Sequence, residues 1–375
     1  MIQQRRYDLD WLRVISVFAV FLHHILMPFN GDDFHIMNTT HSKFLDDTMV
    51  YFEQFRLPLL FLVSGVGTVY AFSKRTWLAF ALERVKRLLV PLVFGVLCIV
   101  PPQVYYENII NFSSFLEAYN SIVIKFKVNH LWFIENLFII SILFIPFVMY
   151  CRSNKSNKLK NTIVKLSKQY RMISWVILLL CIRIITKEYF PSNEKSIRNL
   201  SSSLYFIFFF VSGVILATNN ELWKLLHLRR KYNLRLVLVF TLIFYGYYFM
   251  PREWIAPYLS IKNRWRLWYI VSVLVSWSVV ITILGYGKEY LNKESRLLVK
   301  LNEAVYPFYI LHQTIIIIIG YYVLKLDISI LFKILILFFS SFCSIILIYM
   351  TLIYPFKLTR FLFGMKIKRI KNGKK

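Results

Sequence analysis

Ten apolar stretches separated by short charged loops leave this chain few ways to fold. A bilayer core about 30 Å thick takes roughly 20 apolar residues per helix, and lipid offers the backbone no hydrogen-bond partner outside a helix or a closed barrel. The expected spans are Leu9–Pro28, Phe55–Phe72, Leu88–Tyr105, Leu131–Tyr150, Met172–Ile185, Leu204–Ala217, Leu236–Met250, Leu267–Leu284, Val305–Leu324 and Ile328–Tyr354. The fold class is all-α, a polytopic bundle forming a single domain over residues 1–375 with a basic tail from about 357. A hydrophobic fraction of 58% and a mean hydropathy of +0.55 exclude an ordinary soluble domain.

Charge then sets the expected orientation. Counted on alternate sides of the spans, the connecting segments hold 31 Lys and Arg on the side of the termini against 11 on the other. Cytoplasmic loops carry that excess, so both termini are expected inside a bacterial cytoplasmic membrane crossed many times. The formal charge of +27 follows from these loops and their attraction to anionic lipid. It does not call for nucleic acid as a partner, because no soluble basic domain is present. Cys98, Cys151, Cys181 and Cys343 show no paired spacing, so neither a disulfide framework nor a metal site is expected.

Ionisable residues inside such spans are costly and tend to face a cavity or a polar partner. The stretch LDWLRVISVFAVFLHH carries Arg13 and, eleven positions on, His24. At 100° and 1.5 Å per residue the two share a face and stand about 16 Å apart, while His23 points about 100° away. Either Arg13 snorkels to headgroups and His24 bonds a neighbouring helix, or both line a polar path. Asp10 lies three residues before Arg13 and is its expected ion-pair partner. In the loop FSKRTWLAFALERVKRLLVP, Arg84 and Arg87 are spaced to point the same way on a helix, with Lys86 between them. They are either topology anchors or a clamp for an anion.

These features, in order, resemble the acyltransferase 3 family of integral membrane acyltransferases. The resemblance rests on Arg13–x10–His24, on Ser64-Gly65 in LPLLFLVSGVGTVYAF, on Arg84-x-x-Arg87 before LLVP, and on HLWFIENLF (130–138) and NEAVYPFYILHQTII (302–316). With PPQVYYE (101–107), the last two are similar to the branch containing the periplasmic glucan succinyltransferase. The resemblance implies transfer of an acetyl or succinyl group from cytoplasmic acyl-CoA, as co-substrate, to a hydroxyl of an extracytoplasmic carbohydrate or glycan.

Under that reading Arg84, Arg87 and Lys86 bind the CoA phosphates and Arg13 holds the arm. His24 is the expected general base, since imidazole titrates near working pH. Glu135 is its expected orienting partner, with an ion pair to Arg56 or Arg183 as the alternative. His312 is expected in the thioester tunnel or the acceptor site, and His130 and Trp132 at an acceptor mouth. Ser64 is a possible nucleophile, although small residues there more simply let helices approach closely. Arg56 and Arg183 are candidates for holding a dicarboxylate donor. The chief alternative is a transporter of a glycan or lipid-linked intermediate, which would favour inverted repeats or broken midplane helices; direct transfer and an acyl-histidine intermediate both stay open.

Overall fold

The computed structural model describes residues 5–73, 75–192 and 194–366. Lys74 of the basic loop and residues 367–375 of the basic tail lie outside the described residues. Every regular element among the described residues is helical: α1 (Tyr7–Leu26), α2 (Lys43–Phe52), α3 (Arg56–Phe72), α4 (Trp77–Glu107), α5 (Phe115–Ile124), α6 (Trp132–Leu143), α7 (Ile145–Arg152), α8 (Asn157–Gln169), α9 (Trp175–Tyr189), α10 (Leu200–Ala217), α11 (Asn220–Leu228), α12 (Arg230–Tyr248), α13 (Ile261–Tyr290), α14 (Arg296–Val323), α15 (Ile330–Ile348) and α16 (Lys357–Leu362), with a few single turns between them. The all-α polytopic membrane class is what the sequence leads one to expect.

Among the described residues eight helices are long and apolar enough to cross a membrane, fewer than the ten expected spans. The difference falls on the fifth and seventh. The α9 helix is only 15 residues long, and α12 opens on Arg230, Lys231 and Arg235. Length fails in one case, and charge enters the first two turns in the other.

The expected single domain resolves into two compact units that interleave along the chain. The first comprises Met1–Ser16, Val50–Trp77 and Leu143–Glu294, and the second Val17–Met49, Leu78–Ile142 and Ser295–Lys375. In the first unit, α3 and α10 approach so closely that a Cβ on Gly65 would lie 2.0 Å from the carbonyl oxygen of Phe210, and one on Gly213 2.0 Å from that of Leu62. The Ser64-Gly65 pair therefore acts as the small-residue contact the sequence offers as its simpler reading. Arg13 also belongs to this unit; it pairs with Asp10 at 3.5 Å, as expected, and its guanidinium lies beside Gly67.

In the second unit, prolines explain the irregular course of α4. Pro91 and the Pro101-Pro102 pair cannot donate to the carbonyls four residues back, and each site follows a π-helical turn, Val85–Leu89 and Gly95–Ile99. Side chains satisfy the loosened backbone. Tyr119 donates its hydroxyl to the carbonyl of Leu97 at 3.1 Å, and Thr314 of α14 donates to that of Ile99 at 2.8 Å. The second bond ties α4 to the helix that carries His312.

A candidate active site of buried imidazoles

Three histidines distant in sequence converge in the second unit. His24, from the last turn of α1, places Nδ1 2.8 Å from Nε2 of His312 on α14, with the rings stacked at 5.0 Å. His312 is 1% exposed, and its Nδ1 lies 2.5 Å from the carbonyl oxygen of Tyr309 one turn earlier. His130, also buried, meets the His312 ring edge-on at 5.6 Å.

The carbonyl of Tyr309 fixes the protons of this chain. A carbonyl only accepts, so His312 carries its hydrogen on Nδ1 and, when neutral, presents a lone pair at Nε2. His24 then donates Nδ1–H to that lone pair. A neutral His24 consequently holds its own lone pair at Nε2, the atom a general base needs. The order carbonyl, His312, His24 has the logic of a catalytic relay in which one group orients the next and the last takes a proton.

His130 is oriented in the same way. Its Nε2 donates to the carbonyl of Ile310 at 3.0 Å, while Tyr309 donates its hydroxyl to the carbonyl of His130 at 2.7 Å. Sequence reasoning puts His130 at an outer boundary as part of an acceptor mouth; the structure buries its ring against α14. Positive φ values of 40° at Phe126 and 47° at Asn129 turn the chain inward just before it. Gly95 completes the fit, since a Cβ there would come within 2.5 Å of the Leu131 side chain. Nδ1 of His130 has no hydrogen-bond partner among the described residues.

A second polar group flanks the first. His35, in the connection after α1, meets the carboxylate of Glu107 through Nδ1 and the side-chain amide of Gln313 through Nε2 at 2.6 Å. Burial holds the His35 imidazole down to about 4, so at neutral pH it is the uncharged ring that donates to Glu107. Phe34 stacks on His24 with ring centres 5.9 Å apart, so this connection folds back over the end of α1. Its hold on the bundle includes Lys333 of α15, which donates to Asn38 Oδ1 at 2.8 Å and to the carbonyl of Leu324 at 2.9 Å. Sequence reasoning passed over His35, whose partner Gln313 lies 278 positions away and leaves no local signal.

The remaining expected site residues distribute as follows. His312, mid-way along α14, takes the position beside His24 Nδ1 where the sequence expects Glu135; Glu135 sits half-buried on α6. Arg84, Lys86 and Arg87 are all in the second unit, but the π-helical turn beginning at Val85 winds more residues per turn and breaks the simple three-residue alignment. Arg84 lies over the Phe80 ring at 4.5 Å, whereas Arg87 reaches the carbonyl of Gly364 at 3.3 Å and Glu83 at 3.5 Å; Lys86 is exposed. Trp132 is half-buried beside His130 in sequence. Arg56 and Arg183 belong to the first unit, where Arg56 pairs with Glu53 at 3.4 Å. Among the described residues no group of three or more His, Cys, Asp or Glu is arranged to hold a metal ion.

The family model described as an acyltransferase domain matches residues 6–352. The chain belongs to the acyltransferase 3 family. Among curated proteins this acyltransferase 3 chain is similar to the glucans biosynthesis protein C of Shigella dysenteriae serotype 1 (strain Sd197) and to that of Escherichia coli (strain K12). Each is 22% identical over 229 residues, covering 56% of this chain and 58% of the relative. The chain thus spans little more than half the length of the curated relatives it matches. No solved structure matches it.

Proposed function

We propose that this protein is a membrane-embedded O-acyltransferase that moves an acetyl or succinyl group from cytoplasmic acyl-CoA to a hydroxyl of a carbohydrate on the other side of the membrane. The observation that carries the reading is the His24–His312 pair anchored on the Tyr309 carbonyl. The name of the glucan biosynthesis relatives makes a glucan the first acceptor to try.

Each residue then has a task. His24 Nε2 takes the proton of the acceptor hydroxyl as its oxygen bonds to the thioester carbonyl carbon. The imidazolium that forms is stabilised by donating Nδ1–H to His312. Collapse of the tetrahedral intermediate breaks the carbon–sulfur bond, and His24 returns the proton to the departing thiolate. The products are an ester and free CoA. Nδ1 of His130 offers a hydrogen-bond site to the acceptor. The amide of Gln103, fully buried and unbonded among the described residues, offers another; a buried polar group left so costs about 1–3 kcal/mol, which a sugar hydroxyl can offset.

On the donor side, Arg84 and Arg87, helped by Lys86, hold the CoA phosphates. Stacking on Phe80 limits the rotamers Arg84 must give up on binding. Arg13 steadies the pantetheine arm, whose reach is comparable to the about 16 Å helical rise from Arg13 to His24. Both termini face the cytoplasm, and the basic loops keep them there.

Mass spectrometry of cell-envelope glycans with and without the protein tests this reading, and an added acetyl or succinyl mass identifies the donor. Unchanged glycans together with no acyl-CoA turnover by the purified protein overturn it. Replacing Arg84 and Arg87 together by Ala is expected to weaken acyl-CoA binding at least tenfold, because each charge-assisted bond contributes about 1.5–3 kcal/mol. The remaining affinity should respond less to added salt. Equal affinity of variant and wild type assigns these arginines to topology alone.

A further inference from the structure

The first unit contains a cavity of about 330 Å³ that the acyl-transfer residues do not use. Its wall is formed by the chain entering α3, by α9 and α10, and by the first half of α13. The volume is near the lower end of small-molecule sites, which run to about 300–1,000 Å³, and suits one sugar-sized unit.

The lining carries more positive than negative charge. Arg183 and Lys195 face the space with Glu53 as the carboxylate, and Glu53 is already engaged by Arg56 at 3.4 Å and by Lys195 at 3.8 Å. Arg183 is half-buried, lies over the rings of Tyr205 at 4.9 Å and Tyr269 at 5.5 Å, and makes one long bond of 3.4 Å to Ser201 Oγ. Among the described residues no carboxylate pairs with it. A guanidinium has five N–H donors in a planar fork, so most of this one's hydrogen-bonding capacity is uncommitted.

Two further features shape the occupant. Trp268 and Tyr269 give the cavity an apolar aromatic wall. Ser272 Oγ, buried in the same lining, has no hydrogen-bond partner among the described residues. A fork that suits a carboxylate or phosphate, a flat apolar wall and an unpaired hydroxyl together describe the complement of an anionic polyol.

We infer that this cavity binds an anionic polyol, a carboxylate or phosphate group carried on a sugar or a glycerol, with Arg183 as its anchor. Two sources share that chemistry: a free acidic saccharide and the headgroup of an anionic phospholipid. The inference does not depend on acyl transfer, and binding is measured without acyl-CoA.

The full-length protein in detergent is titrated with glucuronate and with glucose 1-phosphate, following heat and Trp fluorescence, with glucose as the neutral control. In parallel, nanodiscs of phosphatidylglycerol or phosphatidylcholine are examined by native mass spectrometry for retained lipid. Saturable binding of either acidic sugar, weakened at least tenfold by Arg183→Gln and not competed by glucose, supports the inference with a saccharide as source. Retention of phosphatidylglycerol that Arg183→Gln abolishes supports it with a lipid as source. No saturable binding in either arm, or binding that Arg183→Gln leaves unchanged, overturns it. If Arg183→Gln does not accumulate, the exposed Lys195→Gln decides: about a threefold loss of affinity supports the site, and an unchanged affinity overturns it.

Discussion

Replacing His24 by Ala is expected to lower acyl transfer by a factor of at least 100, with the protein still inserted in the membrane. General base catalysis contributes about 10²–10⁴ in rate. The fall should appear in kcat with little change in the KM for acyl-CoA, because Arg84 and Arg87, proposed to hold the donor, are untouched. His312→Ala should cost less, since His24 keeps its lone pair and loses only its orientation and the stabilisation of its cation. The double variant should then be little worse than His24→Ala alone, as expected of residues acting as one unit. Turnover is measured as labelled acyl group transferred to a glucan acceptor, with thiol release as a second readout. Substantial turnover by His24→Ala would remove His24 as the base. A reversed order for His24 and His312 would exchange their roles.

How much of this site could be read beforehand depends on where each signal lies. His24 was legible because its relation to Arg13 is internal to one helix, where spacing alone sets phase and rise. His312 was legible only as an ionisable residue in an apolar span. Its partnership with His24 spans 288 positions and depends on how separate helices pack, which no local pattern encodes. The contacts of His130 were hidden for a related reason. Its position next to an apolar span is plain, but two residues of positive φ, at Phe126 and Asn129, decide that the ring turns inward.

The fold shows the same division. All-helical, membrane-spanning character follows from apolar length, which is additive along the chain. The π-helical turns in α4 were foreshadowed by Pro91 and by Pro101-Pro102, yet which carbonyls would be met by Tyr119 and Thr314 was not. Interleaving of two units was invisible, because each is assembled from three separate segments. The α1 helix passes from one unit to the other between Ser16 and Val17, so the sequence reads as one continuous span what folding divides.

The largest effect on stability is expected at the contact of α3 and α10, where Gly65→Val should destabilise the protein by about 3 kcal/mol, the upper part of the usual range for overpacking. The two helices meet through the same short phrase, Val63-Ser64-Gly65 on one and Val211-Ser212-Gly213 on the other. Each glycine lies against the carbonyl three residues before its counterpart, Gly65 at Phe210 and Gly213 at Leu62, with room for nothing larger than hydrogen. In lipid there is little hydrophobic drive between helices, so close van der Waals contact and Cα–H···O bonds supply the attraction, and both fall steeply with distance. A valine at either position overlaps main-chain oxygen, not a side chain that can swing away, so relief requires separating the helices along their contact. Gly246, with nothing within 4 Å of a built Cβ, is the internal control, and Gly246→Val should change stability far less. Thermal unfolding of purified variants in detergent measures the difference. A Gly65→Val protein as stable as Gly246→Val would mean that the α3–α10 contact is looser than its backbone geometry requires.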